Sequence, residues 1–315
     1  MANRYSVATG NWNATSTWAT SSEGTAGASV PATGDRAIIE GGDTVTLTGH
    51  TTTGGCDIDG AGGTTLVGGG YTLTCDGDGS GTTFDHDGTI SGNLDVVLDG
   101  AADDTNRYLD LGGSGGSVRN LTLNNDGTTW TTKDSASVIS GNLTITAGTF
   151  DTGSDVALTV TGDASVTGTL TGNASAISLG SLGIVSGGTY SATTGVTTIT
   201  GEGAGGGGYA WHNAGTFTHN NGTVTLTSTT DTHLQDNTFY NLIINGNASS
   251  RQFIFRDKSG NLVTVANDLT ITQGTFFRNL GTATLTVTGD VSVAANGILG
   301  DGGDTGPNNF GSLTI

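Results

Sequence analysis

Aliphatic residues alternate with polar ones in short runs along most of this chain. In the run Leu143-Thr144-Ile145-Thr146 the two aliphatic residues lie two positions apart. The same alternation recurs at Val45/Leu47, Leu158/Val160, Val224/Leu226, Leu285/Val287 and Val291/Val293. Successive side chains of a β-strand point to opposite faces, so each run predicts a short strand with one apolar face. Gly, Asn or Asp follows these runs and predicts a turn after each strand.

Two long segments of the chain resemble each other, residues 121–184 and residues 242–315. Both contain Leu-Thr-Ile-Thr-x-Gly-Thr-Phe, then Leu-Thr-Val-Thr-Gly-Asp, then Gly-Ser-Leu-x-Ile. The offset between matched residues drifts from about 121 to about 131, so the turns vary while the strands are kept. Repeats of this kind are typical of units that bury their apolar face only by stacking on each other.

Stacking of this kind predicts an all-β fold, a right-handed parallel β-solenoid with an N-terminal cap. With coils of roughly 20 to 25 residues we expect about 11 to 13 coils. A tandem array of β-sandwiches is the alternative, although sandwiches do not show such long self-similarity. No window has the 3.6-residue apolar period of a helix. Four Gly-Thr-aromatic motifs begin at Gly148, Gly188, Gly215 and Gly274, and we expect them to be equivalent corners of successive coils.

Two regions depart from the repeat pattern. Residues 1–50 hold Trp12 and Trp18, which suit a cap over the first coil, with a sugar-stacking platform as the alternative. Residues 51–315 form the predicted solenoid, interrupted by a Gly-rich insertion near residues 201–212. This insertion carries Tyr209, Trp211 and His212, a candidate contact surface, unless it is a long loop folded back on the coils.

The N-terminal region also carries a specific motif. It reads Arg4-Tyr5-x-Val7-x-x-Gly10-Asn11-Trp12, then Ala28-Ser29-Val30-Pro31-x-x-Gly34-Asp35, then the Thr44-Val45-Thr46-Leu47 strand. This motif resembles the N-terminal module of structural proteins of tailed bacteriophages, especially marine and environmental ones. In those proteins the module precedes Gly/Thr-rich β-helical repeats of fibre or virion-surface type. Repeats like Phe239-Tyr240-Asn241-Leu242-Ile243-Ile244 also occur in bacterial surface adhesins, so the resemblance implies a surface fibre of virus or cell.

Composition narrows the choice of partners and compartment. The chain of 315 residues has a formal net charge of −19, which disfavours nucleic acid and anionic membranes as partners. It begins without the apolar segment of a signal peptide and contains no run long enough to span a membrane. We therefore expect synthesis in a host cytoplasm and a place on the virion surface, with an extracellular location as the alternative. Cys56 and Cys75 are expected to be buried thiols in one ladder, with a disulfide between coils as the alternative.

Little in the sequence indicates catalysis or a cofactor. No nucleophile, phosphate-loop or zinc motif is present, so we expect neither a catalytic site nor a metal site. Asp76 and Asp78 lie in a Gly-rich loop with the composition of a weak calcium site; the alternative is that they cap turn amides. A polysaccharide-depolymerising tailspike would need paired carboxylates, for which Asp103, Asp104 and Asp110 are candidates indistinguishable from surface aspartates.

These patterns predict a non-enzymatic structural protein, a rigid fibre, spike or decoration on a bacteriophage virion. The alternative is a self-assembling filament or adhesin of a bacterial surface. The expected partners are other copies of the chain, end to end or as a trimer, other virion proteins and a host surface glycan. The strand with Leu313 and Ile315 is the candidate assembly edge, since an unpaired strand invites pairing with another chain.

Overall fold

The protein, seen in a computed structural model, is an all-β solenoid of about 10 turns with mostly parallel strands, which confirms the predicted fold class. The structure describes residues 2–77, 81–100, 106–113, 115–133, 136–201, 209–235, 237–255, 262–278, 284–300 and 308–314. The number of turns is below the 11 to 13 expected, and coil length varies. The distance in sequence from one strand to its register partner is 33 residues from Asn3 to Arg36, and only 18 from Thr223 to Asn241.

The chain divides into an N-terminal unit, Met1–Thr159, and a C-terminal unit, Val160–Ile315. The strands that begin in the N-terminal unit are β1 (Asn3–Ser6), β2 (Gly10–Asn11), β3 (Trp18–Ala19), β4 (Arg36–Ile39), β5 (Thr44–Thr46), β6 (Thr51–Thr53), β7 (Gly55–Ile58), β8 (Thr65–Val67), β9 (Thr72–Cys75), β10 (Thr82–His86), β11 (Thr89–Ser91), β12 (Asp95–Leu98), β13 (Asn106–Leu109), β14 (Asn120–Thr132), β15 (Ser137–Ile139), β16 (Leu143–Asp151) and β17 (Leu158–Val166). Two single 3₁₀ turns, Thr15–Thr17 and Ala61–Gly63, are the helical elements among the described residues.

Parallel pairing arranges the N-terminal unit in three ladders of strands. Ladder 1 contains β1, β4, β7, β10, β13 and the C-terminal parts of β14 and β16. Ladder 2 contains β2, β5, β8 and β11. Ladder 3 contains β6, β9, β12 and the N-terminal parts of β14 and β16. Each strand thus hydrogen-bonds to the equivalent strand of the next coil, as stacking of the repeats requires.

An antiparallel strand covers the first edge of ladder 1. β3 runs antiparallel along one edge of β1, with Tyr5 opposite Ala19. The other edge of β1 pairs in parallel with β4. Trp18 belongs to β3 and packs on Trp12, and both rings are almost fully buried. An edge covered in this way is closed to pairing with another chain.

The strands of the C-terminal unit are β18 (Thr169–Thr171), β19 (Ile177–Ile184), β20 (Thr189–Ser191), β21 (Val196–Ile199), β22 (Trp211–Asn213), β23 (Thr216–Thr218), β24 (Thr223–Leu226), β25 (Thr232–Leu234), β26 (Thr238–Phe239), β27 (Asn241–Asn245), β28 (Gln252–Phe255), β29 (Leu262–Val265), β30 (Leu269–Arg278), β31 (Thr284–Gly300) and β32 (Asn308–Thr314). Parallel pairing arranges these strands in ladders as well. Ladder 4 contains β18, β20 and β23, and β26, β29, β31 and β32 form a separate paired run. Ladder 5 contains β19, β21, β24, β27, β30, β31 and β32. Ladder 6 contains β19, β22, β25, β28, β30 and β31.

Alternation within each strand sends one set of side chains into a narrow core. In ladder 3 the inward column Leu73, Val96, Leu121 and Leu143 is at most 1% exposed. In the C-terminal unit the core is richer in rings, whose centroids lie 4.9–6.5 Å apart along a continuous series. The series is Tyr190, Trp211, Phe217, Phe239, Phe255 and Phe276.

Polar side chains support the coil corners in both units. The Asn120 side-chain oxygen accepts a hydrogen bond from the Asn142 backbone amide of the next coil (2.9 Å), and the Asp268 carboxylate does the same for the amide of Asp290 (2.9 Å). These contacts satisfy amides that would otherwise lack a partner where the chain turns.

The duplicated segments do not occupy the same ladder. Leu182, from the first Gly-Ser-Leu-x-Ile copy, pairs with Trp211 in ladder 6, whereas Leu313, from the second copy, pairs with Val291 in ladder 5. The Gly-Thr-aromatic motifs behave in the same way: Thr189 and Thr216 are register partners in ladder 4, but Thr275 lies in ladder 6 opposite Gln252. The prediction of equivalent corners is therefore right for Gly188 and Gly215 and wrong for Gly274.

The two cysteines are buried thiols that form no disulfide. The prediction that they share a ladder is wrong, because Cys56 pairs with Ala37 and Phe84 in ladder 1, while Cys75 lies in ladder 3 opposite Leu98. Burial raises the pKa of the Cys56 thiol well above its usual range. At neutral pH this thiol is therefore protonated and behaves as a small apolar core residue.

Candidate functional site

The candidate functional site is a column of aspartates along ladder 1. Asp57 and Asp85 are register partners on β7 and β10. Asp110 follows β13, and its amide hydrogen-bonds to the carbonyl of Phe84 (2.9 Å), which places it beside Asp85. Lys133 continues the column, since its amide bonds to the carbonyl of Leu109 (3.0 Å). Three consecutive coils thus place negatively charged carboxylates next to one another, with a spacing of about 4.8 Å between paired backbones.

Two basic residues partly offset this repulsion. The Arg36 guanidinium lies 3.5 Å from a carboxylate oxygen of Asp57 and also donates to the carbonyl of Thr82 (2.6 Å). The charge of Lys133 acts on Asp85. Even so, burial and the neighbouring carboxylates raise the pKa of Asp85, and burial, together with Asp85, raises the pKa of Asp57. Asp57 and Asp85 therefore hold their protons more tightly than free aspartates do.

Asp85 and Asp110 of this column form a close group with Asp87. One carboxylate oxygen from each lies within 4.8 Å of the others, so the three could hold a metal ion. Asp110 is almost fully buried, Asp85 is half-buried and Asp87 is exposed. The intervening His86 points into the core, where burial lowers its pKa and keeps the imidazole neutral at pH 7.

The sequence alone predicts only part of this group of three aspartates. Asp85 and Asp87 are two residues apart, which on a strand places them on one face. Asp110 joins them through strand register across a coil of about 25 residues, which alternation cannot reveal. Asp110 was a predicted candidate carboxylate, but its other proposed partners, Asp103 and Asp104, lie outside the described residues.

A groove, here called the Tyr108 groove, adjoins the column. Its volume is about 580 Å³. It lies beside the C-terminal ends of β13, β14 and β16. Its principal lining residues are Tyr108, Thr132, Lys133, Ser154, Asp155 and Val156. Lys133 belongs to both features, so the groove and the aspartate column form one continuous surface of the N-terminal unit.

The predicted contact surface near the Gly-rich insertion is wrong for Trp211 and stays a prediction for Tyr209 and His212. Trp211 is fully buried because it is an inward residue of β22 paired with Leu182, so it cannot be part of an exposed surface. Tyr209 and His212 are partly exposed and lie next to each other, with ring centroids 5.8 Å apart. Residues 202–208 of the insertion lie outside the described residues.

The cap aromatics Trp12 and Trp18 pack against each other edge to face, with centroids 5.1 Å apart. The indole N–H of Trp18 donates to the carbonyl of Trp12 (2.7 Å). Because Trp12 is 3% exposed and Trp18 is 0% exposed, neither ring is available as a sugar-stacking platform. Their role in covering the first coil stays a prediction.

The weak calcium loop and the assembly strand are only partly described. Asp76 accepts a hydrogen bond from the amide of Gly34 (3.2 Å), which matches the alternative that these aspartates cap turns. Asp78 lies outside the described residues, as does Ile315. Leu313 lies in β32, whose backbone pairs with β31, and the assembly role of this strand stays a prediction.

None of the helical turns in the described part of the chain is long and apolar enough to cross a membrane. No protein-family model matches this sequence, and neither a curated protein nor a solved structure is significantly similar to the chain.

Proposed function

We propose that the protein is a non-enzymatic structural component of a bacteriophage virion, a rigid β-solenoid spike, fibre or surface decoration. One observation carries this proposal: in ladder 5 seven strands pair in register, from β19 to β32. Their main-chain hydrogen bonds run from coil to coil, so bending the stack would stretch many bonds at once. Stiffness of this kind suits a part that is held out from a particle.

The covered N-terminal edge supports a discrete spike over an end-to-end filament. Head-to-tail growth of a solenoid requires unpaired strands at both ends of the stack. β3 occupies the edge of β1 that such growth would use in ladder 1. The N-terminal motif that resembles phage structural modules lies in this same region, including the buried Trp12.

The test is the protein content of purified particles. Phage particles would be purified by density gradient, and their proteins identified by mass spectrometry with quantitation against the major capsid protein. We expect a fixed, small whole-number ratio of this chain to a tail or capsid protein. Particles that lack the chain would overturn the proposal. Filaments of the isolated protein that lengthen with concentration in electron micrographs would instead favour the bacterial surface filament.

A second candidate function is hydrolysis of a polysaccharide. The observation in its favour is the Asp85–Asp110 neighbourhood, in which carboxylate oxygens lie within 4.8 Å of one another and the pKa of Asp85 is raised. Glycoside hydrolysis uses one protonated and one ionised carboxyl group, which in the retaining mechanism lie about 5–5.5 Å apart, slightly wider than the spacing here. Release of reducing sugar from a host polysaccharide, abolished in Asp85→Asn and retained in Asp57→Asn, would establish this function in place of a purely structural one.

A further inference from the structure

We propose that the Tyr108 groove binds a neutral oligosaccharide, with the ring of Tyr108 as its stacking platform. The inference rests on the geometry of the N-terminal unit and does not depend on the virion assignment. A volume of about 580 Å³ is enough for a few sugar residues and lies within the range of small-molecule sites.

The groove is preformed by main-chain contacts. The Lys133 amide bonds to the carbonyl of Leu109 (3.0 Å), and the Ser137 amide bonds to the carbonyl of Ala157 (2.8 Å). Gly153 lies so close to the Thr132 carbonyl that a Cβ atom would come within 2.8 Å of it. Because these contacts already hold the backbone of the described lining residues, a ligand would not have to order them.

Tyr108 presents a large ring to the groove. It is 49% exposed, although most large hydrophobic side chains of the described residues are buried. Its backbone is held by β13 and by a hydrogen bond from its amide to the carbonyl of Gly81 (2.7 Å). A tyrosine ring combines an apolar face, which packs against the C–H groups of a sugar, with a hydroxyl that stays in water.

Polar groups around the ring supply both donors and acceptors. The hydroxyl of Ser154 does both, the carboxylate of Asp155 accepts, and the ammonium of Lys133 donates. Asp155 has a left-handed backbone (φ 64°), which is uncommon for a residue other than glycine. This mixture matches the closely spaced hydroxyls of a sugar.

The surrounding charges select a neutral ligand. Lys133 is the cation of the groove, and its charge already acts on Asp85 of the neighbouring column. The aspartates of that column and Asp155 would repel an anionic chain such as a uronic acid or sulfated polymer. Neutral hexose or N-acetylhexosamine chains avoid this repulsion.

The test is saturation-transfer NMR with maltohexaose, cellohexaose and N-acetylchitohexaose. We expect at least one of these probes to bind and Tyr108→Ala to weaken that binding by about tenfold or more. Tyr108→Phe, which keeps the ring, should stay within about threefold of the parent chain. Tyr71→Ala is the matched control, because Tyr71 is a half-buried tyrosine of the same unit that packs on His50 outside the groove.

Three results would overturn the proposal. The first is that none of the three probes binds. The second is that Tyr108→Ala binds as well as Tyr71→Ala, with both variants folded by circular dichroism. The third is that a heparin-derived hexasaccharide binds more tightly than every neutral probe and loses its binding in Lys133→Ala.

Discussion

The two units show opposite consequences of the same stacking rule. In the C-terminal unit the aromatic series from Tyr190 to Phe276 fills the core, with adjacent ring centroids 4.9–6.5 Å apart. In the N-terminal unit the aspartate column of Asp57, Asp85 and Asp110 places carboxylates beside one another. A parallel solenoid brings like positions of successive coils together, so it multiplies an attraction between rings and a repulsion between charges alike.

The comparison indicates which columns are kept for stability. Each inward ring gains from burial and from edge-to-face contacts, worth about 0.5–1.5 kcal/mol per pair beyond the buried area. Stacked aspartates give no such gain, and the raised pKa values of Asp57 and Asp85 show that the folded chain disfavours their charged forms. The aspartate column is therefore a costly feature at neutral pH, as expected where a surface serves a function.

The largest effect is expected from truncating the aromatic series at its centre. Phe239 is fully buried and contacts the rings of Trp211, Phe217 and Phe255. Phe239→Ala should lower the free energy of unfolding by about 3–5 kcal/mol, because it leaves a cavity between coils. Urea unfolding followed by tryptophan fluorescence measures this loss.

Phe217→Ala is the matched control for this prediction. Phe217 belongs to the same series but is half-buried, so its truncation should cost clearly less than that of Phe239. Equal losses at the two positions would show that the rings do not act as one packed series.

The sequence predicted the columns but could not predict which ladder each one would join. Alternation identifies Leu182 and Leu313 as inward residues of equivalent motifs, yet they lie in ladders 6 and 5. Every ladder needs the same inward–outward alternation, so a duplicated segment can shift to another ladder without a change in its pattern. Turn lengths decide the ladder, and they vary from coil to coil.

The candidate site was less predictable, because it too depends on which strands of successive coils pair. Asp85 and Asp87 could be placed on one face, but their meeting with Asp110 depends on register between coils. Trp211 was expected on the surface because of its Gly-rich neighbours, although its pairing with Leu182 buries it. The Tyr108 groove brings together residues of three successive coils, for which single residues give no signal.

An outer column with opposite charges should behave unlike the aspartate column. Asp95 in ladder 3 accepts two hydrogen bonds from Arg119 (2.7 and 2.5 Å) and one from Asn120 (2.9 Å). Burial acts to raise the pKa of Asp95, but the bonds and charge of Arg119 outweigh it and lower the pKa. Asp95→Ala should therefore lower the free energy of unfolding at pH 7 by about 0.5–1 kcal/mol, the range for exposed pairs.

The pH dependence of this loss follows from the sign of the shift. A lowered pKa means that the ionised form favours the folded chain, so the stabilisation is complete above the unfolded pKa of about 3.9 and disappears as the pH falls through the folded value. Unfolding of parent and Asp95→Ala at pH 7 and at acid pH measures this. A difference between the two chains that does not shrink in acid would contradict the role of the Asp95 charge.

The smallest effect, and the one of opposite sign, is expected for Asp85→Asn. This change removes a charge that faces Asp57, Asp87 and Asp110 and keeps the shape of the side chain. At pH 7 it should raise the free energy of unfolding by about 0.5 kcal/mol, the scale of one like-charge pair across strands. Because the folded pKa of Asp85 is raised, the parent chain gains stability as the pH falls through that value towards the unfolded pKa of about 3.9.

The advantage of Asp85→Asn should therefore shrink in acid, and urea unfolding at pH 7 and pH 4 tests both the sign and the trend. Asp57→Asn is the matched control, since Asp57 has Arg36 at 3.5 Å and its loss removes an attraction together with a repulsion. We expect its effect at pH 7 to be smaller than that of Asp85→Asn. A destabilised Asp85→Asn would mean that the carboxylate forms a bond worth more than the repulsion, and the contrast between the aromatic and aspartate columns would then fail.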